Sequence, residues 1–297
     1  MDDRAVPPHA RPQGMPWSAL FRLIRLRNQT GTLLLALPSL WSLALAERGL
    51  PSGRLFAIFL AGSFLMRSAG VILNDLADRS FDRHVTRTKT RPLASGELRP
   101  AQAVVLLVIL LVAAGGLLLF LNGLTRWLAP IAVLLSALYP FCKRVIHIPQ
   151  AVLGIAFGWG AIMAWAASRG TLDTPAWLLF AATIAWAIAY DTIYALQDRD
   201  DDRRIGVKSA ALFFGSSTWM AVGVALSLML ILLGVSGRLT DIGGMYYLAL
   251  CGVGLFFASQ VRTLRGVVSP SDARLMFQAH VWAGLFILAG LIAGFLL

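Results

Sequence analysis

Apolar residues run along this chain in long blocks, and polar residues collect in the gaps between them. Nine blocks are long enough to cross a bilayer, where about 20 apolar residues suffice. They lie at about 30–46, 55–73, 101–121, 125–142, 149–167, 175–193, 211–235, 243–261 and 278–297. None shows the period-two alternation of a barrel strand. In lipid a segment must satisfy its own backbone N–H and C=O groups or close into a barrel. Unalternated blocks therefore predict helices, and the fold class is an all-α integral membrane protein.

Composition agrees. Hydrophobic residues make up 58% of the chain and charged residues 14%, against about 25% charged in soluble domains. The net charge of +11 would suit a nucleic-acid partner, but there is no basic face with interleaved aromatics. The nine blocks distribute the charge differently. With the N-terminus inside, 20 of the 26 Lys and Arg fall on inner segments and 5 on outer ones, with Arg67 inside the second span. By the positive-inside rule the N-terminus and the loops after the second and sixth spans are cytoplasmic. Residues 1–20, with Pro7, Pro8, Pro12 and Pro16, read as a flexible cytoplasmic tail ending in an interfacial helix near 18–27. Residues 21–297 read as a single transmembrane domain. Arg outnumbers Lys 23 to 3, which points to a GC-rich bacterium and hence to its inner (plasma) membrane. Cys142 and Cys251 have no metal or redox spacing and read as buried small hydrophobes.

The candidate chemistry lies in two acidic stretches. Asn74, Asp78 and Asp82, with Asp75 beside them, fall at i, i+4 and i+8, one face of a helix that ends the second span. Asp191, Tyr194, Asp198 and Asp202 fall at 0, +3, +7 and +11, again one stripe, at the end of the sixth span. More than half of the 15 acidic residues lie between 75 and 97 or between 191 and 202. Like charges at helical spacing repel, so something must offset them, and a hard divalent cation with oxygen ligands is the simplest candidate. Four crossings separate the stripes, which puts both on one side. The 120 residues from Asp82 to Asp202 hint at a duplicated four-helix unit.

Three readings of these stripes compete. Acids paired with neighbouring arginines in a solvated loop would be the plainest, but a loop does not explain the same stripe occurring twice. A cation-coupled transporter would place its carboxylates near the midplane, whereas these lie at the membrane edge. A metal–diphosphate site fits best. Mg²⁺ uses one or two carboxylates plus phosphate oxygens. Arg79, Arg83, Arg87, Lys89, Arg91, Lys143, Arg144, Arg203, Arg204 and Lys208 surround the stripes with phosphate-binding cations. A membrane enzyme acting on such an ester needs a lipid-soluble substrate, and a polyprenyl diphosphate qualifies.

The motif Asn74-Asp75-x-x-Asp78-x-x-x-Asp82 resembles the first signature of the UbiA-type intramembrane aromatic prenyltransferases, and Tyr190-Asp191 through Asp198 to Asp202 resembles the second. Thr90–Gly96, Tyr139-Pro140-Phe141-Cys142-Lys143-Arg144 with His147, Pro149 and Gln150, and Ile205–Ser209 agree as well. The second signature and the Tyr139–Arg144 stretch are similar in particular to the branch acting on 4-hydroxybenzoate. The resemblance implies nine transmembrane helices around a central cavity, capped by the loops after spans two and six. It also implies Mg²⁺-dependent transfer of a polyprenyl group to the ring carbon ortho to the hydroxyl of 4-hydroxybenzoate, a step of ubiquinone synthesis. Homogentisate or a naphthoate are alternative acceptors for the same chemistry.

In this reading Asn74, Asp75, Asp78 and Asp82 serve one metal, and Asp198 and Asp202 another. Lys143, Arg144, Arg87, Arg91 and Lys208 face the developing charge on the diphosphate. Tyr139, Tyr190 and Tyr194 offer aromatic faces to an allylic cation. Asp191 orients a ligand, binds the acceptor hydroxyl or takes the ring proton, and the sequence does not rank these. Arg25 and Arg67 are the candidates for the acceptor carboxylate. Arg67 lies inside span two, seven residues before Asn74 and on the same face, and an intramembrane arginine marks a functional site by default. The branch usually has an arginine, then an acidic-basic-Pro-x-Gly run, before its first span. Here Arg25 and Gly31 are kept, but Arg27 replaces the acid and Gln29 the proline.

Overall fold

The structure is a computed structural model and describes residues 17–142, 145–146, 148–206 and 208–297. Most of the predicted tail, Lys143, Arg144 and His147 lie outside the described residues. Among the described residues the ordered elements are all helical. In order they are α1 (Trp17–Leu23), α2 (Thr30–Ala46), α3 (Gly53–Ala77), α4 (Arg79–Asp82), α5 (Pro100–Leu118), α6 (Gly123–Cys142) and α7 (Pro149–Arg169). There follow α8 (Thr174–Ala195), α9 (Arg199–Ile205), α10 (Ala210–Phe214), α11 (Thr218–Leu239), α12 (Gly244–Thr263) and α13 (Pro270–Leu296). Eight of these runs are long and apolar enough to cross a membrane, α10 and α11 counting as one, and α2 is a shorter apolar helix of 17 residues. At 1.5 Å per residue α2 is about 25 Å long, close to the bilayer core.

Each predicted span coincides with a helix, and the differences are at the ends. The last helix begins at Pro270 rather than near 278. Ser269 caps it by accepting from the Asp272 N–H at 3.1 Å, and a polar first turn of this kind leaves no trace in an apolar pattern. Residues 17–20, placed with the tail from sequence, belong to α1, whose Ala19, Leu20 and Leu23 are buried against Ala69, Ile72, Leu93 and Leu98. Cys251 is exposed and Cys142 half-buried, not core. A small apolar side chain loses nothing by facing lipid, which is as apolar as the core.

Neither acidic stripe is one unbroken helix. The first stripe breaks at Asp78, which ends α3 and starts α4, and the second breaks between Ala195 and Arg199. Both breaks use one local device, Asp-Arg-x-x-Asp, at 78–82 and 198–202. In each, the first Asp stands at the N-cap of a short helix and accepts at its backbone from the second, at 2.8 Å. A helix restarted here places acidic residues at a fresh N-terminus, where the dipole favours them. Neither cap side chain caps its own helix, and the Asp198 carboxylate is instead bound by Arg87.

The core is organised on α8, which packs on α7 and α11, with Trp41, Trp186 and Tyr190 fully buried. Without a hydrophobic drive between helices in lipid, close approach through small residues supplies the packing. Gly154 and Gly158 give α7 that approach to α8. A Cβ on Gly154 would come 2.7 Å from the Ile184 Cα, a backbone atom that cannot turn aside. We expect Gly154→Ala to destabilise the fold by about 1–3 kcal/mol, measured as a lower thermal midpoint in detergent. Polar ties complete the core: Trp41 Nε1 donates to the Gly284 carbonyl at 2.9 Å, and Trp186 Nε1 to His280 Nδ1 at 2.9 Å.

Candidate active site at the polar end of the cavity

Helices α2, α3, α5, α6, α7, α8 and α13 enclose a cavity of about 790 Å³. Its walls are mostly apolar. Its polar end gathers Arg25, Arg67, Asn74, Asp75, Arg87 and Arg91, with Tyr139, Tyr190, Asp191 and Tyr194 beside them.

Asp75 is the buried hub, only 1% exposed. Its Oδ1 accepts from Arg25 Nη2 at 3.1 Å and from Arg91 Nη1 at 3.0 Å. The same Arg91 nitrogen reaches Asp82 Oδ2 at 2.8 Å. A buried carboxylate needs such partners, since an unpaired one would cost several kcal/mol. Arg25 gets there by an unusual backbone, with φ at 59°, held by Asn28 N–H on its carbonyl at 2.8 Å. Left-handed non-glycine residues cluster at functional sites. The α1 packing and an Arg22–Glu97 ion pair fix the approach. Burial pulls the Arg25 pKa below its usual value, and the Asp75 charge opposes that pull.

Arg87 joins the two stripes. Its Nε and Nη2 grip Asp198 at 2.8 and 2.5 Å, its Nη1 donates to Tyr194 Oη at 2.9 Å, and it lies 5.2 Å from the Tyr194 ring. Burial lowers its pKa, but the bond to Asp198 and the nearby charges outweigh burial and hold it above the ordinary value. Thr86 N–H donates to Asp201 at 3.2 Å. The loop after the first stripe is thereby tied to the second stripe, 111 residues away.

Other predicted cations are placed otherwise. Arg79 and Arg83 donate to the Leu93 and Ala94 carbonyls, each at 3.1 Å, and so fold their own loop. Lys208 donates to the Val145 carbonyl at 3.1 Å and does not line the cavity. Asp78, Asp82, Asp198 and Asp202 lie outside the lining too, Asp82 paired with Arg91 and Asp198 with Arg87. Sequence reasoning missed Arg274, Phe277 and Gln278 of α13, which do line it. Their signal was present, an arginine and a glutamine four residues apart, but Arg274 and Phe277 fell in a stretch read as a loop and Gln278 at the first position of the predicted span.

Arg67 stands apart. It lies within α3, lines the cavity, and no hydrogen bond or ion pair joins its guanidinium to a described residue. It rests on the bare backbone of Gly31, where a Cβ would come within 2.8 Å of Nη2. A glycine is required there for the arginine to occupy this place.

Among the described residues no three His, Cys, Asp or Glu side chains come together tightly enough to hold a metal unaided. The donor set still suits Mg²⁺, because every candidate ligand is a hard oxygen. Cations already stand against these carboxylates, Arg91 against Asp75 and Asp82, and Arg87 against Asp198. Mg²⁺ commonly takes only one or two protein carboxylates and completes its shell with phosphate oxygens.

Comparison with known proteins places the fold. The model of the UbiA prenyltransferase family matches residues 35–284. The chain belongs to this family. Relatives named 4-hydroxybenzoate octaprenyltransferase include one from Pseudomonas aeruginosa (strain UCBPP-PA14), 41% identical over 98% of each chain. Another, from Pectobacterium carotovorum, is 45% identical over 94% of this chain and 96% of its own. Among solved structures, a UbiA homolog from Aeropyrum pernix K1 superposes with a TM-score of 0.75 at 23% identity, covering 88% and 97% of the two chains. A UbiA homolog from Archaeoglobus fulgidus bound to GPP and Mg²⁺ gives 0.66 at 15% identity, covering 94% and 100%. The UbiA family match contains both acidic stripes and Arg67, and begins after the unusual segment Arg25–Gly31.

Proposed function

We propose that this chain transfers a polyprenyl group from polyprenyl diphosphate to the ring carbon ortho to the hydroxyl of 4-hydroxybenzoate, with Mg²⁺, as a membrane step of ubiquinone biosynthesis. The observation that carries this is one largely apolar cavity whose polar end gathers Arg25, Arg67, Arg87 and Arg91. Arginines backed by both acidic stripes suit a diphosphate, and Arg67, which bonds to no described residue, suits a carboxylate. The names of relatives aligned along nearly the whole chain support the acceptor. Family membership removes the transporter reading.

The roles follow from position. Asn74, Asp78 and Asp82 would hold one Mg²⁺, and Asp198 and Asp202 a second, and the metal would supply charge neutralisation for a departing diphosphate. Arg87 and Arg91 shift from carboxylate to phosphate, and Lys143, Arg144 and Lys208 add positive charge for the same diphosphate. Asp75 serves that site by orienting Arg25 and Arg91. As the carbon–oxygen bond breaks, the Tyr139, Tyr190 and Tyr194 faces stabilise the allylic cation, and the apolar walls keep water from it. The ring carbon takes the cation and then loses its proton. Asp191 lines the cavity beside these tyrosines and acts on the acceptor's hydroxyl or on that proton. Arg67 binds the acceptor carboxylate. The protein lies in a bacterial inner (plasma) membrane with its N-terminus and active-site loops cytoplasmic, as the 20-to-5 division of Lys and Arg supports.

The test uses membranes containing this protein, a labelled polyprenyl diphosphate, 4-hydroxybenzoate and Mg²⁺. Prenylated 4-hydroxybenzoate should appear and vanish with EDTA, while homogentisate and a naphthoate compete weakly. Product with one of those acceptors alone would remove the 4-hydroxybenzoate assignment.

A further inference from the structure

Along α3, Asn74, Gly70, Met66, Gly62 and Phe59 recur every three or four residues and all line the cavity. That is one helix face. At 1.5 Å per residue they stand about 6, 12, 18 and 22 Å below Asn74. The polar end lies at Asn74. At the far end Phe59, 7% exposed, packs in a cluster with Leu40, Leu43 and Leu121. Between them the wall is opened by glycines. A Cβ on Gly70 would meet nothing within 4 Å, and one on Gly62 would meet only Leu117 Cδ1, at 3.8 Å. Neither glycine is needed for helix packing or for a special backbone angle. Glycine in a helix interior costs about 1 kcal/mol relative to alanine, so what these two contribute is the space in front of them.

We propose that this face of α3 gauges the prenyl chain, with Gly62 admitting long donors and Phe59 setting how the chain passes the far end. The inference rests on the polyprenyl-transfer reading, which fixes the diphosphate at the Asn74 end. Depth along α3 then measures distance from the reacting carbon. A two-unit prenyl chain, eight carbons end to end at C–C bonds of about 1.5 Å, reaches roughly 10 Å and stops short of Gly62. An eight-unit chain must pass it.

The experiment compares two-unit and eight-unit prenyl diphosphates as donors to 4-hydroxybenzoate, reading kcat/KM for each. Gly62→Leu should leave the two-unit donor within about threefold of wild type and lower the eight-unit donor by at least about tenfold, the scale of a filled apolar subsite. Gly70→Leu, near the polar end, should lower both together. Phe59→Ala should hold or raise the eight-to-two ratio. Gly62→Ala, whose Cβ makes only an ordinary contact, should move the ratio in the same direction by less, should the leucine variant fold poorly. Equal losses for both donors in the Gly62 variants, or none, would overturn the gauge. Absence of transfer by the wild type from any donor would overturn the polyprenyl reading itself, and the gauge with it.

Discussion

Asp78→Ala and Asp198→Ala should each lower prenyl transfer by about a hundred- to a thousandfold, the scale of losing one preorganised contact to charge that develops in the transition state. The two positions match in backbone, each the first acid of an Asp-Arg-x-x-Asp turn at the N-cap of a short helix, with no side-chain cap bond to that helix. Asp200 is the control. It sits in the same short helix α9, but 78% of its side chain is exposed, and its nearest cation, Arg199, is 3.8 Å away. A surface pair of that kind contributes little, so Asp200→Ala should stay within about twofold of wild type. Titration with Mn²⁺ in the presence of a non-reactive diphosphate reads metal binding apart from turnover, and should weaken at Asp78 and Asp198 but not at Asp200. Loss at Asp200 equal to that at Asp198 would mean that the acidic stretch acts as a diffuse charged surface and not as a ligand set.

That contrast marks the limit of what the sequence discloses. The nine spans were legible because an apolar block in lipid has one way to satisfy its backbone. The two stripes were legible as patterns, because acids at helical spacing next to apolar blocks need an explanation. Their partners were not. Arg87 meets Asp198 across 111 residues, through a loop with no periodicity, and nothing in the order of residues sets Arg87 apart from Arg83, which instead folds its own loop. Asp75 shows the same thing. Its neighbours in sequence suggest a shared ligand set, while burial and two guanidinium groups make it an anchor for arginines. The breaks at Asp78 and after Ala195 also escaped, since a helix that stops and restarts nearly in register keeps its spacing. Arg67 is the opposite case, since an arginine in an apolar span is conspicuous in any sequence.

Replacing that arginine should separate stability from function. A guanidinium inside a membrane helix with no hydrogen bond or ion pair to a described residue is costly, about 2.5–3.5 kcal/mol at the helix centre on insertion scales, and Gly31 is left bare to make room for it. Arg67→Met removes the charge and keeps the bulk, so the thermal midpoint in detergent should hold or rise. The acceptor should suffer instead. Truncating one partner of a buried charge pair costs about 2–5 kcal/mol, so KM for 4-hydroxybenzoate should rise by at least roughly thirtyfold. The KM for the prenyl diphosphate, held by other residues, should stay near wild type. Arg67→Lys should fall between, since an ammonium keeps the charge but loses the two-pronged grip on a carboxylate. The methyl ester of 4-hydroxybenzoate gives the decisive comparison. Wild type should prefer the acid strongly, and Arg67→Met should treat acid and ester alike. A variant that lost both acceptors in parallel would place Arg67 in the structure of the cavity and not in recognition. A shift confined to the KM of the diphosphate would move it to the donor's headgroup. Selectivity for the charged acceptor that collapses while the fold grows no weaker is the outcome expected of a cation placed for its substrate.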